Sequence, residues 1–506
     1  MISLDDLERF SRSTATNVDF NGDKFYGGFG DTKVFTPDYW ELRKRSDQLF
    51  TENLYARGII RRLVTNEINI GLSLEATPYE KILGLNEDSL VDWTDDVEDR
   101  FHLWGKYSKA CDHKQLKTFG AIQELVRMES LAAGDVLVIL NFSTNTKTPN
   151  IQLIPGGSIR TPLGYEPRKG HKIKHGVELD SKGRQVAFHV TTGFLESKRV
   201  PAFGERSGRR LSWMVYGTDR RIDAVRGQPM LALVLQSLKE IDRYRDAVQR
   251  KAVINSILAM FIKKTEDKMG TKPLSGGAVR KDTAEVTDGD GSSRTYDIQS
   301  QMPGLVMETL QQGEEPIGFN NQGTDQAFGE FERSIIQAVA WANQIPPEIL
   351  TLSFNSNYSA SQAAINEFKM YLDPTRKRFA EALCQPVYEE WLVNEVLAGR
   401  ITAKGLLEAW KDPQQFYTVV AWVNADWMGA IKPSTDIKKQ AQGQKLMVDE
   451  AWTTNTKVAR ELSNTNFRKN TTKLKRENEM KAEAMRPLLV LQAEFGEEAV
   501  NNLNEV

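Results

Sequence analysis

His171 and His175 stand four residues apart in the run HKIKH. On a helix that spacing would turn both imidazoles to one face and offer them to a metal ion. The setting argues against it. The run leads into the alternating stretch HGVELDSKGRQVAFHV, His175 to Val190, and in an extended chain residues four apart are about 13 Å apart. Cys111, Asp112 and His113 bring two soft ligands together, but no second pair completes a tetrahedral site. GGFGDTK, Gly27 to Lys33, echoes a phosphate loop without the G-x-x-x-x-G-K-[ST] spacing that lets backbone amides wrap a phosphate. No G-x-S-x-G elbow or H-E-x-x-H helix occurs. The remaining histidines, His102 and His189, and the many carboxylates form no constellation of their own. The residues that could do chemistry therefore point to a protein that is not an enzyme and uses neither cofactor nor metal.

Composition narrows the field further. The 506 residues carry 66 lysines and arginines against 68 aspartates and glutamates, a formal charge of −2. A dedicated duplex binder takes its affinity from a surplus of cations, so this balance argues against one while permitting loose contact with DNA. Cys111 and Cys384 suggest no disulfide framework, and a reducing compartment follows. The start MISLDDLERF has no basic head followed by an apolar run, so it does not read as a signal peptide. The most apolar helical stretch, Ala252 to Ile262, lies between Lys251 and Lys263-Lys264 and is far shorter than the ~20 residues that span a bilayer. The expectation is a soluble, cytoplasmic chain of α+β class, predominantly helical.

The elements follow from periodicity. The glycine-rich first forty residues read as an arm that orders on a partner. Asn53 to Ala76 has amphipathic helical spacing and should end near Gly71. Helices are predicted from Trp93 to Trp104 and from Leu116 to Ser130. Strands follow at Gly134 to Phe142 and Asn150 to Gly156, then a hairpin turning at Asp180 to Gly183. Pro229 opens a helix predicted to run unbroken to Lys263, roughly 50 Å, with Leu231, Leu235, Leu238 and Ile241 on its apolar stripe. A polar, glycine-rich excursion follows, with strand-like pieces RTYDIQ and GLVMETL. A second helix then starts near Thr324, carries Phe328, Phe331 and Ile335, and stops at Pro346-Pro347. A third helical region runs from Ala360 toward Gly399, with Pro374 and Pro386 inside it. Beyond Trp427 the chain is charged and helical, with the basic residues Arg468, Lys469, Lys473, Lys475 and Arg476 in the run FRKNTTKLKR.

Two helices that leave a body, carry an excursion and return describe a stalk. Its apolar stripe fits either an internal helical bundle or lateral packing between identical copies in a closed ring. Between the second and third helices lies SFNSNYSAS, Ser353 to Ser361, polar and marked by one tyrosine. On its own residues it reads as a surface loop with a buried tyrosine. Ser359 with Gln362 three residues on fits a capping box for the third helix.

These stretches, taken in order, carry a resemblance. LYARGIIRRLVTNEINIGLSLEA, LAAGDVLVIL with IQLIPGGSI, HGVELDSKGRQVAFHV with GQPMLALVLQSLKEIDRYRDA, IPPEIL with SFNSNYSASQAA, WLVNEVLAGRI and ADWMGAIKPSTDIKKQAQG are similar to the lambda family of tailed-phage portal proteins. One departure is Gln362, where the family usually has arginine. The resemblance implies a portal fold: an arm (1–40), a wing (41–226), a first stem helix (227–263), a clip (264–323) and a second stem helix (324–343). A tunnel loop (344–360), wing helices (361–430) and a helical crown (431–506) complete it.

It also implies a ring of about twelve copies at one capsid vertex, which DNA crosses without sequence readout during packaging and ejection. The implied partners are the large terminase subunit, major capsid and scaffolding proteins, a head–tail adaptor and double-stranded DNA, with no membrane. Assembly would occur in the host cytoplasm and the protein would reside in the virion. On this reading Ser353, Asn355, Ser356, Asn357, Tyr358 and Ser359 face the bore, where amides and hydroxyls grip phosphates less than lysines would. The alternative is a non-enzymatic nucleic-acid-binding adaptor or scaffold, and the basic run in FRKNTTKLKR, otherwise a solvated crown face, is the one feature that favours it.

Overall fold

Asn53 divides the first helical pair. Its side-chain oxygen accepts the Ala56 amide at 2.7 Å, ending α1 (Tyr39–Glu52) and capping α2 (Leu54–Glu67). In the computed structural model the described residues are 16–18, 24–26, 39–142, 148–193, 196–218, 224–257, 261–264, 283–287, 293–297, 314–317, 325–351, 358–429, 437–463 and 465–495. They fall into two units, Met1–Leu233 with Asn343–Val506, and Val234–Ala342.

In the first unit a short hairpin, β1 (Thr16–Val18) with β2 (Lys24–Tyr26), precedes α1. The expected long helix from Asn53 stops earlier than predicted. Asn69 and Gly71 take positive φ, 53° and 113°, and the chain enters β3 (Ser73–Ala76). Gly71 faces the backbone of Gly120, a closeness that a side chain would forbid. Helices α3 (Glu80–Leu83), α4 (Glu87–Lys106), α5 (Ser108–Cys111) and α6 (Phe119–Ala133) follow. The predicted strand pair is β4 (Asp135–Phe142) against β5 (Pro149–Pro155), with Val138 opposite Leu153. The meander β6 (Lys172–Lys174), β7 (Val177–Leu179), β8 (Gln185–Thr191) and β9 (Ser197–Pro201) forms a second antiparallel sheet, whose central hairpin turns at Asp180 as expected. β10 (Ser212–Tyr216) returns beside β4.

The second unit holds α7 (Leu235–Ile257) and α8 (Asp325–Ala342), which pack on each other with the Tyr244 and Phe331 rings 5.1 Å apart. The unbroken rod expected from Pro229 to Lys263 is corrected at both ends. Met230–Leu233 is a 3-10 turn, and Phe261–Lys264 is a strand, β11, leaving 23 helical residues or roughly 35 Å. The aromatic and β-branched start of β11 suits a strand, and the register sets Lys263 opposite Glu315 and Lys264 opposite Glu314. β12 (Thr283–Thr287) pairs with β13 (Ser293–Asp297), and β14 (Glu314–Ile317) with β11. RTYDIQ thus contributes to a strand, whereas GLVMETL lies outside the described residues.

Back in the first unit, Pro347 opens the short α9 (Pro347–Thr351). α10 (Tyr358–Phe379) contains Pro374 and passes through a π turn at Ala380–Cys384 into α11 (Gln385–Leu397), so the segmentation expected of the third helix falls at that turn. α12 (Leu406–Lys411) and α13 (Phe416–Val423) lead to β15 (Ala425–Met428), which pairs with β3. The core gathers around Phe101, whose ring lies 5.1 to 5.9 Å from those of Trp391, Trp104, Phe119, Tyr388 and Trp427. α14 (Ile437–Asp449), α15 (Asn455–Ser463) and α16 (Phe467–Phe495) close the chain.

Candidate assembly and channel surfaces

The first unit is organised by four buried carboxylates, each held by arginine. Asp135, at the head of β4, is fully buried. Its oxygens accept from Arg43 at 2.7 Å, from Arg226 at 2.8 Å on both sides, and from the Gly227 amide at 2.9 Å. Arg226 spends its other N–H groups on the carbonyls of Gly156, Ile159 and His175. Burial alone would raise the Asp135 carboxyl, but the two guanidiniums hold it below its usual value. A side chain at Gly156 would collide with this pair, so the turn there must be glycine.

Glu67, at the end of α2, binds Arg127 of α6 and takes a hydrogen bond from the Tyr371 hydroxyl of α10 at 2.7 Å. Arg376 reaches the backbone carbonyls of Glu67 and Asn66 at 3.0 and 2.7 Å. These contacts fix α10, the helix that follows the serine–asparagine tract. Glu390 of α11 accepts from Arg209 at 2.6 Å and from the Arg210 amide at 2.8 Å. Glu178 in β7 is bound by Arg199 at 2.7 Å and His171 at 2.7 Å, with the buried His189 at 3.3 Å. Against the effect of burial, hydrogen bonds from Arg199 and His171 lower its carboxyl to about 2.

Burial pushes the Cys111 thiol up to about 12 and raises Cys384 well above its normal range, so neither supplies a thiolate near neutrality. Among the described residues no group of three or more histidines, cysteines, aspartates or glutamates is placed to hold a metal ion. Among the same residues, no helix is long and apolar enough to cross a membrane. A hollow of about 790 Å³ is lined by Arg376, Lys377, Lys457 and Arg460 in balance with Asp373, Glu381, Asp426 and Glu461. It is an ionic seam between α10, β15 and α15 rather than an apolar ligand pocket.

The C-terminal helices meet the body mainly through ions. Arg460 pairs with Glu75 and with Asp426, and Lys469 reaches Asp99 at 2.8 Å and Glu98 at 3.5 Å. α14 and α15 bury no residue.

The family of phage portal proteins described as the lambda family matches residues 28–376, more than half of the chain. The chain belongs to that family. The portal protein of Escherichia phage N15 is 21% identical over 434 residues, covering 83% of this chain and 80% of that one. Among solved structures, the neck of an empty GTA particle computed with C6 symmetry is similar at TM-score 0.47 and 12% identity, covering 84% of this chain and 94% of that chain. The neck of a native GTA particle computed with C12 symmetry follows at TM-score 0.41 and 12% identity, covering 85% and 94%. Portal proteins of this family are structural components of the phage particle, not enzymes, and the mainly helical architecture with small sheets agrees with that fold.

The sequence-predicted site residues of this portal chain scatter. Ser353, Asn355, Ser356 and Asn357 lie outside the described residues, while Tyr358 and Ser359 open α10. The helix starts before the expected cap, which places Ser359 in its first turn. Of the stem stripe, Leu231 sits in the 3-10 turn and is buried, Leu235 and Ile335 are half-buried, and Leu238 and Ile241 are buried. Phe331 remains 39% exposed, and Phe328 lies on α8. Arg468, Lys473, Lys475 and Arg476 are exposed on α16, whereas Lys469 is engaged by Glu98 and Asp99. Sequence reading missed the four carboxylate hubs. The available signal was a charge at the head or middle of an apolar run, as in GDVLVIL and GVEL, where a strand offers water only one side.

Proposed function

We propose that the protein is the portal of a tailed-phage-like particle, a closed ring of about twelve copies at one capsid vertex whose bore passes DNA during packaging and ejection. The observation that carries this reading is the family match across residues 28–376. The second unit supports it: a pair of packed helices bearing small paired strands suits a stem that carries a clip, where a separate terminase motor would dock. The absence of a phosphate-loop motif from the sequence is consistent with a motor that lies in another protein. Ser353 to Ser359 would line the bore with weak, sequence-blind contacts, and the helical C-terminal segment would form the crown. A head–tail adaptor and the capsid and scaffolding proteins complete the expected partners.

The test is native mass with particle class averages of the purified 57.2 kDa chain. A holed particle of roughly 0.7 MDa is expected from a heterologous ring. A monomer that binds free duplex with a steep salt slope would favour the adaptor reading instead.

A further inference from the structure

α2 buries Ala56, Ile59, Ile60, Leu63, Val64 and Glu67. Its outer face carries Arg57 and Arg61, exposed and one turn apart, with Arg62 half-buried beside them. Like charges at this spacing repel each other. Yet none of these three arginines makes an ion pair among the described residues, and the Nε of Arg62 is a buried donor with no partner. On α4 the pattern is inverted. Asp92, Asp96 and Asp99 are exposed and Asp95 is half-buried, at positions i, i+4, i+7 and i+3 of one face. Arg100 takes Asp96, and Lys469 takes Asp99, which leaves Asp92 and Asp95 in surplus.

We infer that the arginine face of α2 on one copy docks on the aspartate face of α4 on the next, head to tail, so that each copy offers one face to each neighbour. The inference rests on the ring reading above and names the surfaces that close the ring. Three observations select a second copy as the occupant. The two rows have opposite sign and the same helical spacing. Both are exposed on one chain and neither satisfies the other within it. Their surpluses belong to a chain whose net charge is only −2, so an assembly of identical copies cancels them without a further partner. Duplex DNA would satisfy the arginines alone and leave the aspartates unmatched. A heterologous contact of this kind closes when its rotation divides a full turn, and complementary charge fixes its register and speeds encounter.

The experiment measures native mass and class averages for four full-length proteins and one mixture, with circular dichroism confirming that each protein is folded. The unaltered chain should form rings. Arg57→Asp with Arg61→Asp, and separately Asp92→Arg with Asp95→Arg, should each lower the ring fraction by roughly tenfold or more at equal concentration. An equimolar mixture of those two should restore rings of alternating copies, which an even-numbered ring permits, and so should the chain that carries all four substitutions. Rings that form unimpaired in either reversed variant overturn the docking. So does a mixture of folded variants that stays unassembled. A reversed α2 that assembles normally but no longer retains duplex DNA assigns the arginines to nucleic acid instead. An unaltered chain that forms no ring overturns the channel reading and the docking together, whereas unaltered rings with unaffected variants overturn the docking alone.

Discussion

Asp135 shows what a single buried charge does in this protein. One carboxylate joins α1, β4, the Gly156 turn and the segment around Arg226, and two arginines depend on it. Asp135→Asn leaves the guanidiniums of Arg43 and Arg226 buried without a counter-charge, and loss of one partner of such a set costs about 3–5 kcal/mol. Urea unfolding should show a lower midpoint with an unchanged slope. Glu178 gives a pH signature. Its carboxyl is held at about 2 against an ordinary 4.5, so between those values the unfolded chain binds a proton that the native chain does not. The stabilisation is complete above this window and is lost as pH falls through it. Burial lowers His189, which adds the same sign from near 6.5 downward. The thermal midpoint of the unaltered protein should therefore fall more steeply from pH 5 to pH 3 than that of Glu178→Gln, which starts lower at neutral pH. Parallel curves would show that Glu178 is not the acid-sensitive group.

Among the elements, the C-terminal helices stand apart because ions hold them. Two of the four pairs made by Arg460 and Lys469 reach exposed carboxylates, Asp426 and Asp99, and pairs of that kind contribute ~0–1 kcal/mol each and weaken with salt. Removing Arg460 and Lys469 together, each to alanine, should speed protease cleavage beyond Gly429 by roughly tenfold while leaving the body intact. Salt should speed cleavage of the unaltered chain but add little to the variant. What the sequence shows of these elements follows the physics of each signal. The strands around Val138 and the hairpin at Asp180 are legible because alternation and turn residues are local properties. The end of α7 is not. Phe261 and Ile262 continue a helical stripe, and only pairing with Glu314–Ile317, about fifty residues on, makes them a strand. Asp135 and Glu178 betray themselves as charges within apolar runs, but Glu67 and Arg226 carry no such local sign. A lone Glu67 or Arg226 reads as a surface charge until partners 51 to 309 residues away close around it. SFNSNYSAS stands out by composition, but only the resemblance assigns it a role, since a polar tract has no periodicity to read.

At the scale of the whole molecule, the body is built from two separated stretches of chain, Met1–Leu233 and Asn343–Val506, with Val234–Ala342 inserted between them. Both stretches supply the aromatic core: Phe101, Trp104 and Phe119 come from the first, Tyr388, Trp391 and Trp427 from the second. Each stretch alone exposes half of that cluster. Expressed separately, the first should be insoluble or molten, with no near-ultraviolet dichroism from its tryptophans, and co-expression of the two should recover a soluble complex. A first stretch that folds cooperatively on its own would contradict this.

The same discontinuity sets a clock on the ribosome. Ser73 lies 355 residues ahead of Met428, its neighbour across the β3–β15 pair. At roughly 5–20 residues per second, about 20–70 s pass between the emergence of one strand and that of its partner. For that interval the nascent chain carries an unpaired strand edge and half an aromatic cluster while its neighbours on the same message do likewise. Because copies of the chain arise side by side on one message, mispairing between them competes with completion of each body, so yield in the host should respond to translation speed and to chaperones that shield nascent chains more than to the stability of the finished protein.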